Sequence, residues 1–385
     1  MTNRIIWLDG ARAVLMLLGV LLHGANVFAE PNHWLVQNDS SHPAFNALVW
    51  IIHSFRMPAF FVIGGFFCAY AYQRFPVSRF LRIRLAKIGI PLLATALTFN
   101  LLQDMFLSLV VEDETDLASY FTDGRIGIFF AEGLWQSHLW FLTFLIVYHL
   151  FYAASAPAMQ WLSLRHAARR IFTPSRQWLF ANPYLLALLC LVPPALAKLF
   201  PVLWDDFFGL FTAYQLLFYV PFFCFGVAAY FWRSLLDSFC RFRAIDLPLL
   251  TAAMLIAFHQ PLETGTPLDD VIHVYAYGLS AWLMARLVFV ACRLAASTGR
   301  VVGYLSDASF SVYLFHHLLI VVGGWLVAQV EFPILLEFLA LTTAVSAIAL
   351  GLHHYLVLRH PLLRFLFNGR LLRPRAEPRP VLTAP

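Results

Sequence analysis

Residues 9–24 read DGARAVLMLLGVLLHG, an apolar run that holds Asp9, Arg12 and His23. Extended to about 5–28, it is long enough to cross the roughly 30 Å of hydrocarbon in a bilayer as one α-helix. The rest of the chain repeats the pattern. Of 385 residues, 61% are hydrophobic and only 12% charged, half the roughly 25% charge of a soluble domain, and the mean hydropathy is +0.73. The fold class is therefore all-α: a polytopic membrane protein of about ten transmembrane helices. The apolar segments fall at about 5–28, 44–72, 88–110, 126–156, 179–200, 207–232, 246–259, 271–292, 304–328 and 334–358. The seventh is short for a span.

Charge sorts the connections. One set carries Arg74, Arg79, Arg82, Arg84 and Lys87, then Arg165, Arg169, Arg170 and Arg176, Arg233, Arg241 and Arg243, Arg293 and Arg300. The opposite set carries EDETD (112–116), WDD (204–206), PLETGTPLDD (261–270) and QVEF (329–332). Lys and Arg gather on the cytoplasmic side of membrane proteins, so both termini are expected in the cytoplasm. Residues 1–368 then form the transmembrane domain, and the Arg- and Pro-rich 369–385 a disordered cytoplasmic tail. The net charge of +5 needs no nucleic-acid partner, because the bilayer accounts for it. The five cysteines show no CxxC spacing and read as buried free thiols.

Ionisable groups at membrane depth cost free energy and are functional candidates. Arg12 and His23 are eleven residues apart, three turns plus about 20°, so they share a helix face with His23 roughly 16 Å further along the axis. Asp9, one turn before Arg12, can pair with it. Two readings stand side by side on spacing alone. One is a path through the bilayer with a basic group at its mouth and an imidazole deep inside; the other is a snorkelling Arg and a hydrogen-bonded His. IHSFRMPAFFVIGGFF (51–66) adds His53 and Arg56 one turn apart, then Pro58, which frees a carbonyl and is expected to kink the helix. Gly64-Gly65 invites close approach of another backbone. QSHLWFL (136–142) adds His138 and Trp140, and SDASFSVYLFHHLLI (306–320) adds Asp307, His316 and His317. The last two are expected on different faces of their helix. No HxxxH or HExxH spacing points to a metal, and imidazoles suited to proton transfer near neutral pH fit better.

The stretches LDGARAVLMLLGVLLH, IHSFRMPAFFVIGGFF, SHLWFL, ASFSVYLFHH and HPLLRFLFNG together resemble the membrane acyltransferase-3 family, whose first helix carries an Arg-x10-His motif; here that is Arg12 and His23. The resemblance is closer to its glucan-biosynthesis branch. That family usually has a Ser-Gly pair where this chain has Gly64-Gly65, so no role of the serine hydroxyl carries over. The resemblance implies about ten spans and O-acylation of a carbohydrate hydroxyl, with acyl-CoA as cytoplasmic co-substrate and no permanently bound cofactor. In the glucan branch the donor is succinyl-CoA and the acceptor an osmoregulated periplasmic glucan, which implies the bacterial inner membrane.

The chemistry suits these residues. A sugar hydroxyl needs a positioned base, for which His23 is the candidate. Arg12, Arg56, His53 or His138 can supply donors to the oxyanion. The run RFLRIRLAK (79–87) offers Arg79, Arg82, Arg84 and Lys87 to the phosphates of coenzyme A, or serves only to set topology. A succinyl carboxylate calls for a cation such as Arg56 or Arg286. His316 and His317 are second acid/base or packing groups. The alternatives are O-acetyl transfer to another envelope glycan, and a sugar or lipid transporter or flippase. A transporter predicts inverted repeats, and none is evident.

Overall fold

A computed structural model describes residues 6–30, 34–112, 116–161, 173, 176–207, 209–259, 266–295 and 300–370. Of the groups named above, Asp113, Glu114, Arg165, Arg169, Arg170, Glu263 and the tail from 371 lie outside them. The apolar runs became helices, numbered here in chain order. They are α1 (Ile6–Asn26), α2 (Pro43–Arg74), α3 (Val77–Val111), α4 (Trp140–Trp161), α5 (Pro183–Leu199), α6 (Ala213–Phe231), α7 (Asp246–Phe258), α8 (Pro267–Leu294), α9 (Arg300–Val327) and α10 (Ile334–Val357). Among the described residues eight are long and apolar enough to cross a membrane, while α5 and α7 are shorter apolar helices. The protein is an all-α polytopic membrane protein.

Three boundaries differ from the expected ones. The run 126–156 is broken: a separate helix, Arg125–Ala131, stops at Glu132, and Gly133 takes a left-handed φ of 71° before the turn into α4. The run 207–232 begins with a two-stranded hairpin, Asp206–Phe207 against Phe211–Thr212. Thr212 and Gln215 then cap α6 reciprocally, which sets its start. α3 begins eleven residues earlier than the expected 88, because the basic run is itself helical. Inside α3 the helix widens into π-turns at Leu85–Gly89, Ala96–Asn100 and Leu107–Val111, a feature often found beside functional sites.

With no hydrophobic drive between helices in lipid, association rests on close packing, and small residues set how near the axes come. α2 meets α6 in this way. A Cβ on Gly65 would overlap the carbonyl oxygen of Phe223, and one on Gly226 would overlap that of Val62, so each helix lies against the other's bare backbone. α2 runs on through Pro58 as one helix. α1 packs chiefly between α9 and α2 and also touches α8 and α10. The described chain ends against α3: Gly369, at a left-handed φ of 57°, allows close approach to the backbone of Ala86 and Lys87. Arg370 then reaches Asp307 of α9 at 2.9 Å.

Substituting Gly65→Ala or Gly226→Ala is expected to destabilise the fold by at least about 1–3 kcal/mol, because backbone rather than a side-chain tip must move. Gly351→Ala, where a Cβ meets nothing within 4 Å, should be neutral or slightly stabilising. Thermal unfolding of the three variants in detergent checks the order.

Candidate active site

Three spans bring four histidines to one place. His23 of α1 lies with its ring centroid 4.8 Å from that of His317 and 5.3 Å from that of His316. His138, in the turn that starts α4, stacks on His317 at 4.6 Å and 8° and sits 5.3 Å from His316. The two neighbours on α9 therefore do not serve separate faces. Consecutive helical residues differ by about 100° in direction, and α9 aims the gap between them at the cluster, so His316 and His317 straddle it with centroids 6.2 Å apart. Trp34 covers the cluster, 5.8 Å from His317 and 6.3 Å from His23.

Local backbone geometry supports this arrangement. Ser137 has φ of 41°, the only non-glycine in the left-handed region among the described residues, and such strain tends to collect at functional positions. It lets the chain reverse and present His138. Asn100 holds that turn by donating to the carbonyls of Trp135 and Gln136, Gln136 donates to the carbonyl of Leu210, and Thr143 donates to Gln136 Oε1. Tyr313 donates its hydroxyl to the His138 carbonyl at 2.8 Å.

Hydrogen bonds fix two tautomers. His316 Nδ1 meets the Tyr313 carbonyl at 2.7 Å, and His317 Nδ1 meets Gln103 Oε1 at 2.6 Å. Both partners can only accept, so Nδ1 carries the hydrogen in each and Nε2 keeps its lone pair. Among the described residues, His316 Nε2, His23 Nδ1 and both ring nitrogens of His138 have no hydrogen-bond partner. The site thus holds fixed bases beside free ring nitrogens. Parallel stacking of His138 on His317 keeps their lone pairs from meeting on one ion. Among the described residues no group of three or more His, Cys, Asp or Glu is arranged to hold a metal.

Cavities approach the cluster from opposite ends of the bundle. One, of about 590 Å³, is lined by His53, Asn100, Gln103, Gln136, Trp140 and Tyr219 among others. It is rich in amides and aromatic faces. The other, of about 380 Å³, is lined by Arg12, Arg84, Lys87, His149, Phe310 and Arg370 among others. It is basic. Along α2 the order is His53 in the first cavity, then Arg56, then Phe60 in the second, and the adjacent Trp140 and Phe141 face different cavities. Arg56 thus lies between the two cavities along α2, and Gln103, the partner of His317, and Ser137, next to His138, line the first.

The other expected residues divide. Arg12 is held by Ser306, at 3.0 Å to Oγ and 3.1 Å to the carbonyl, and by Asp9 at 3.8 Å. Arg84 donates to the Phe67 carbonyl and, with Lys87, lines the basic cavity. Arg79 and Arg82 do not: both are exposed, and Arg79 lies over the ring of Phe75. Helical geometry turns them away from the cavity, while the half-buried Arg84 and the exposed Lys87 face it. Arg286 is unavailable to a ligand. It is buried against Asp246 at 2.9 Å, donates to the Ala181 carbonyl, and Asp246 is bonded in turn by Tyr184. Gly64, at the position of the family's serine, lines the basic cavity, and a Cβ there would come within 2.9 Å of Leu145.

Gln103, Trp34, Tyr313, Ser137 and His149 belong to the site or its cavities without having been expected there. His149 carried the clearest signal, an imidazole inside the apolar run of the fourth span.

The family model described as an acyltransferase domain, that of the acyltransferase-3 family, matches residues 5–354. Proteins called glucans biosynthesis protein C from Salmonella paratyphi B, Salmonella enteritidis PT4 and Salmonella choleraesuis are each 29% identical to the chain. Each match runs over 378 residues, covering 94% of both sequences. No solved structure matches the chain.

In protein labelled with ¹⁵N-histidine, His316 and His317 should both appear as Nδ1–H tautomers near neutral pH. Gln103→Leu is expected to release His317 from that form while leaving His316 in it, which the ring-nitrogen shifts report directly.

Proposed function

The chain belongs to the acyltransferase-3 family and is a multi-pass membrane acyltransferase; we propose that it carries a succinyl group from succinyl-CoA to hydroxyls of an osmoregulated periplasmic glucan. In this reading it lies in the bacterial inner membrane with the Arg12 end towards the cytoplasm, the side on which Lys and Arg gather. The observation that carries the reading is a polar and a basic cavity on opposite sides of the histidine cluster, the polar one lined by Gln103, which accepts from His317. A donor and an acceptor held on opposite sides of a membrane need separate entrances and a shared centre.

The basic cavity suits coenzyme A. Arg84 and Lys87, which line it, answer phosphate charge, while Arg370 is shared with Asp307 of the same lining; charge-assisted bonds to phosphate are among the stronger polar contacts. The opposite cavity suits a sugar: Asn100, Gln103 and Gln136 offer donors and acceptors, and Trp140 and Tyr219 offer flat apolar faces.

Transfer then follows from the cluster. A glucan hydroxyl gives its proton to His23 as its oxygen attacks the acyl carbonyl. A free ring N–H of His138 donates to the oxyanion of the tetrahedral intermediate. The attack forms the C–O bond; the intermediate then collapses with loss of the C–S bond, and the proton passes from His23 to the departing coenzyme A thiolate. His316 and His317, with Nε2 lone pairs beside His23, stabilise the imidazolium that forms on His23. Arg12, clamped by Ser306 and Asp9, holds the donor end.

Reconstituted protein given radiolabelled succinyl-CoA and periplasmic glucan should yield succinyl ester, and His23→Ala should lower the rate by about 10²–10⁴-fold. No ester from correctly folded wild-type protein would sink the reading. Arg84→Gln and Lys87→Gln should each raise the donor KM about tenfold, whereas Arg79→Gln should change it less than about twofold.

A further inference from the structure

Charges buried within this bundle are answered by other groups. Asp9 meets Arg12, Asp104 meets Arg125 and the Tyr120 hydroxyl, Asp246 meets Arg286, and Glu337 accepts from Asn38 and from the backbone N–H of Phe332. Arg56 breaks the pattern. It is 7% exposed, yet among the described residues it makes no hydrogen bond and no ion pair. A guanidinium largely buried without a counter-charge, its Nε fully shut off from solvent, is a costly arrangement, and this one lies between the two cavities along α2.

What surrounds Arg56 is specific. One terminal nitrogen lies where Gly19 of α1 would carry its Cβ, and His316 Nε2 is 3.4 Å from that same point. Any side chain at residue 19 would displace the guanidinium, so Gly19 is a window in α1 through which Arg56 reaches the cluster. Among the described residues, the titratable groups that act on it include His23, His53, His138, His316, His317 and the phenols of Tyr219 and Tyr313. Each is neutral or cationic. The centre therefore lacks one negative charge, and a substrate has to bring it.

The phosphates of coenzyme A do not fit this place, since Arg84 and Lys87 meet them in the basic cavity. The acceptor, a sugar, is neutral at its hydroxyls. The oxyanion of the intermediate is transient and would leave Arg56 unanswered while the donor is bound. A carboxylate at the far end of the acyl group meets the requirement before, during and after transfer. Resting on the acyl-transfer reading above, we infer that Arg56 is the specificity-determining residue of this site. Its guanidinium, admitted by Gly19, holds the distal carboxylate of a dicarboxylic acyl group, and so selects half-acid donors over uncharged acyl chains of the same length. Arg286 has no part in this selection, because Asp246 already occupies it.

The test compares succinyl-CoA with butyryl-CoA, equal in carbon number but bearing a methyl group for the carboxylate, as donors to the same glucan. Wild-type protein should prefer succinyl-CoA in kcat/KM. Arg56→Leu should lower the succinyl-to-butyryl ratio of kcat/KM by about 100-fold or more, the usual scale for losing a buried charge-assisted contact. Gly19→Ala keeps the cation but displaces the flexible end of Arg56, and should lower the same ratio by about tenfold. A parallel fall with both donors, leaving the ratio unchanged in Arg56→Leu, would overturn the inference and return Arg56 to the reacting carbonyl or to the fold. A wild-type preference for butyryl-CoA would overturn it as well. Ester formation with neither donor would overturn the acyl-transfer reading itself.

Discussion

A charge held away from water must be met by another charge or by well-placed hydrogen-bond partners, and the bundle is organised around that requirement. Arg12 on α1 is tied to Ser306 on α9, joining two helices that pack extensively along each other. Arg286 on α8 is tied to Asp246 at the start of α7, with Tyr184 of α5 completing the group. Asp104 on α3 gathers Tyr120 and Arg125 from the connection that follows. These ionic groups thus double as joints between elements. Arg56, which has no hydrogen-bond or ion-pair partner among the described residues, is conspicuous against that background.

The site is a consequence of the same economy of space. α1 carries Gly10, Gly19 and Gly24, and Gly19 and Gly24 face crowded surroundings where a Cβ would strike Arg56 or come within 2.6 Å of Thr342. α1 can therefore lie deep among α2, α9 and α10, which brings His23 against both histidines of α9. The turn at Ser137, strained and held by Asn100 and Gln136, then delivers His138 onto His317. A cluster of imidazoles with basic and polar cavities on either side supports transfer of a group between compartments without a water-filled channel between them.

Much of this was legible before any coordinates. Arg12, His23, Asp9, His53, Arg56, His138, Trp140 and the pair His316–His317 stood out because polar groups in apolar runs are costly and few. The Gly64-Gly65 step announced a close helix contact, and Gly65 makes one with α6. Other features left no such mark. Gln103 and Gly19 are ordinary residues singly, and their roles depend on which helix lies opposite. Arg79 and Arg82 looked equal to Arg84 and Lys87 because a basic run has no visible inside until the neighbouring helices are in place. The break at Gly133 and the hairpin before α6 were hidden within continuous apolar composition.

The sequence by itself determined the membrane class, the approximate spans and the roster of ionisable groups at depth. These follow from the transfer free energy of each residue, which is a local property. Only the tertiary structure decided that His316 and His317 both face His23, that Arg286 is spent on Asp246 and Arg56 is not, and that the two cavities lie on opposite sides of the histidine cluster. Those outcomes depend on distances between helices far apart in the chain, set by glycine contacts and ion pairs that no local pattern encodes.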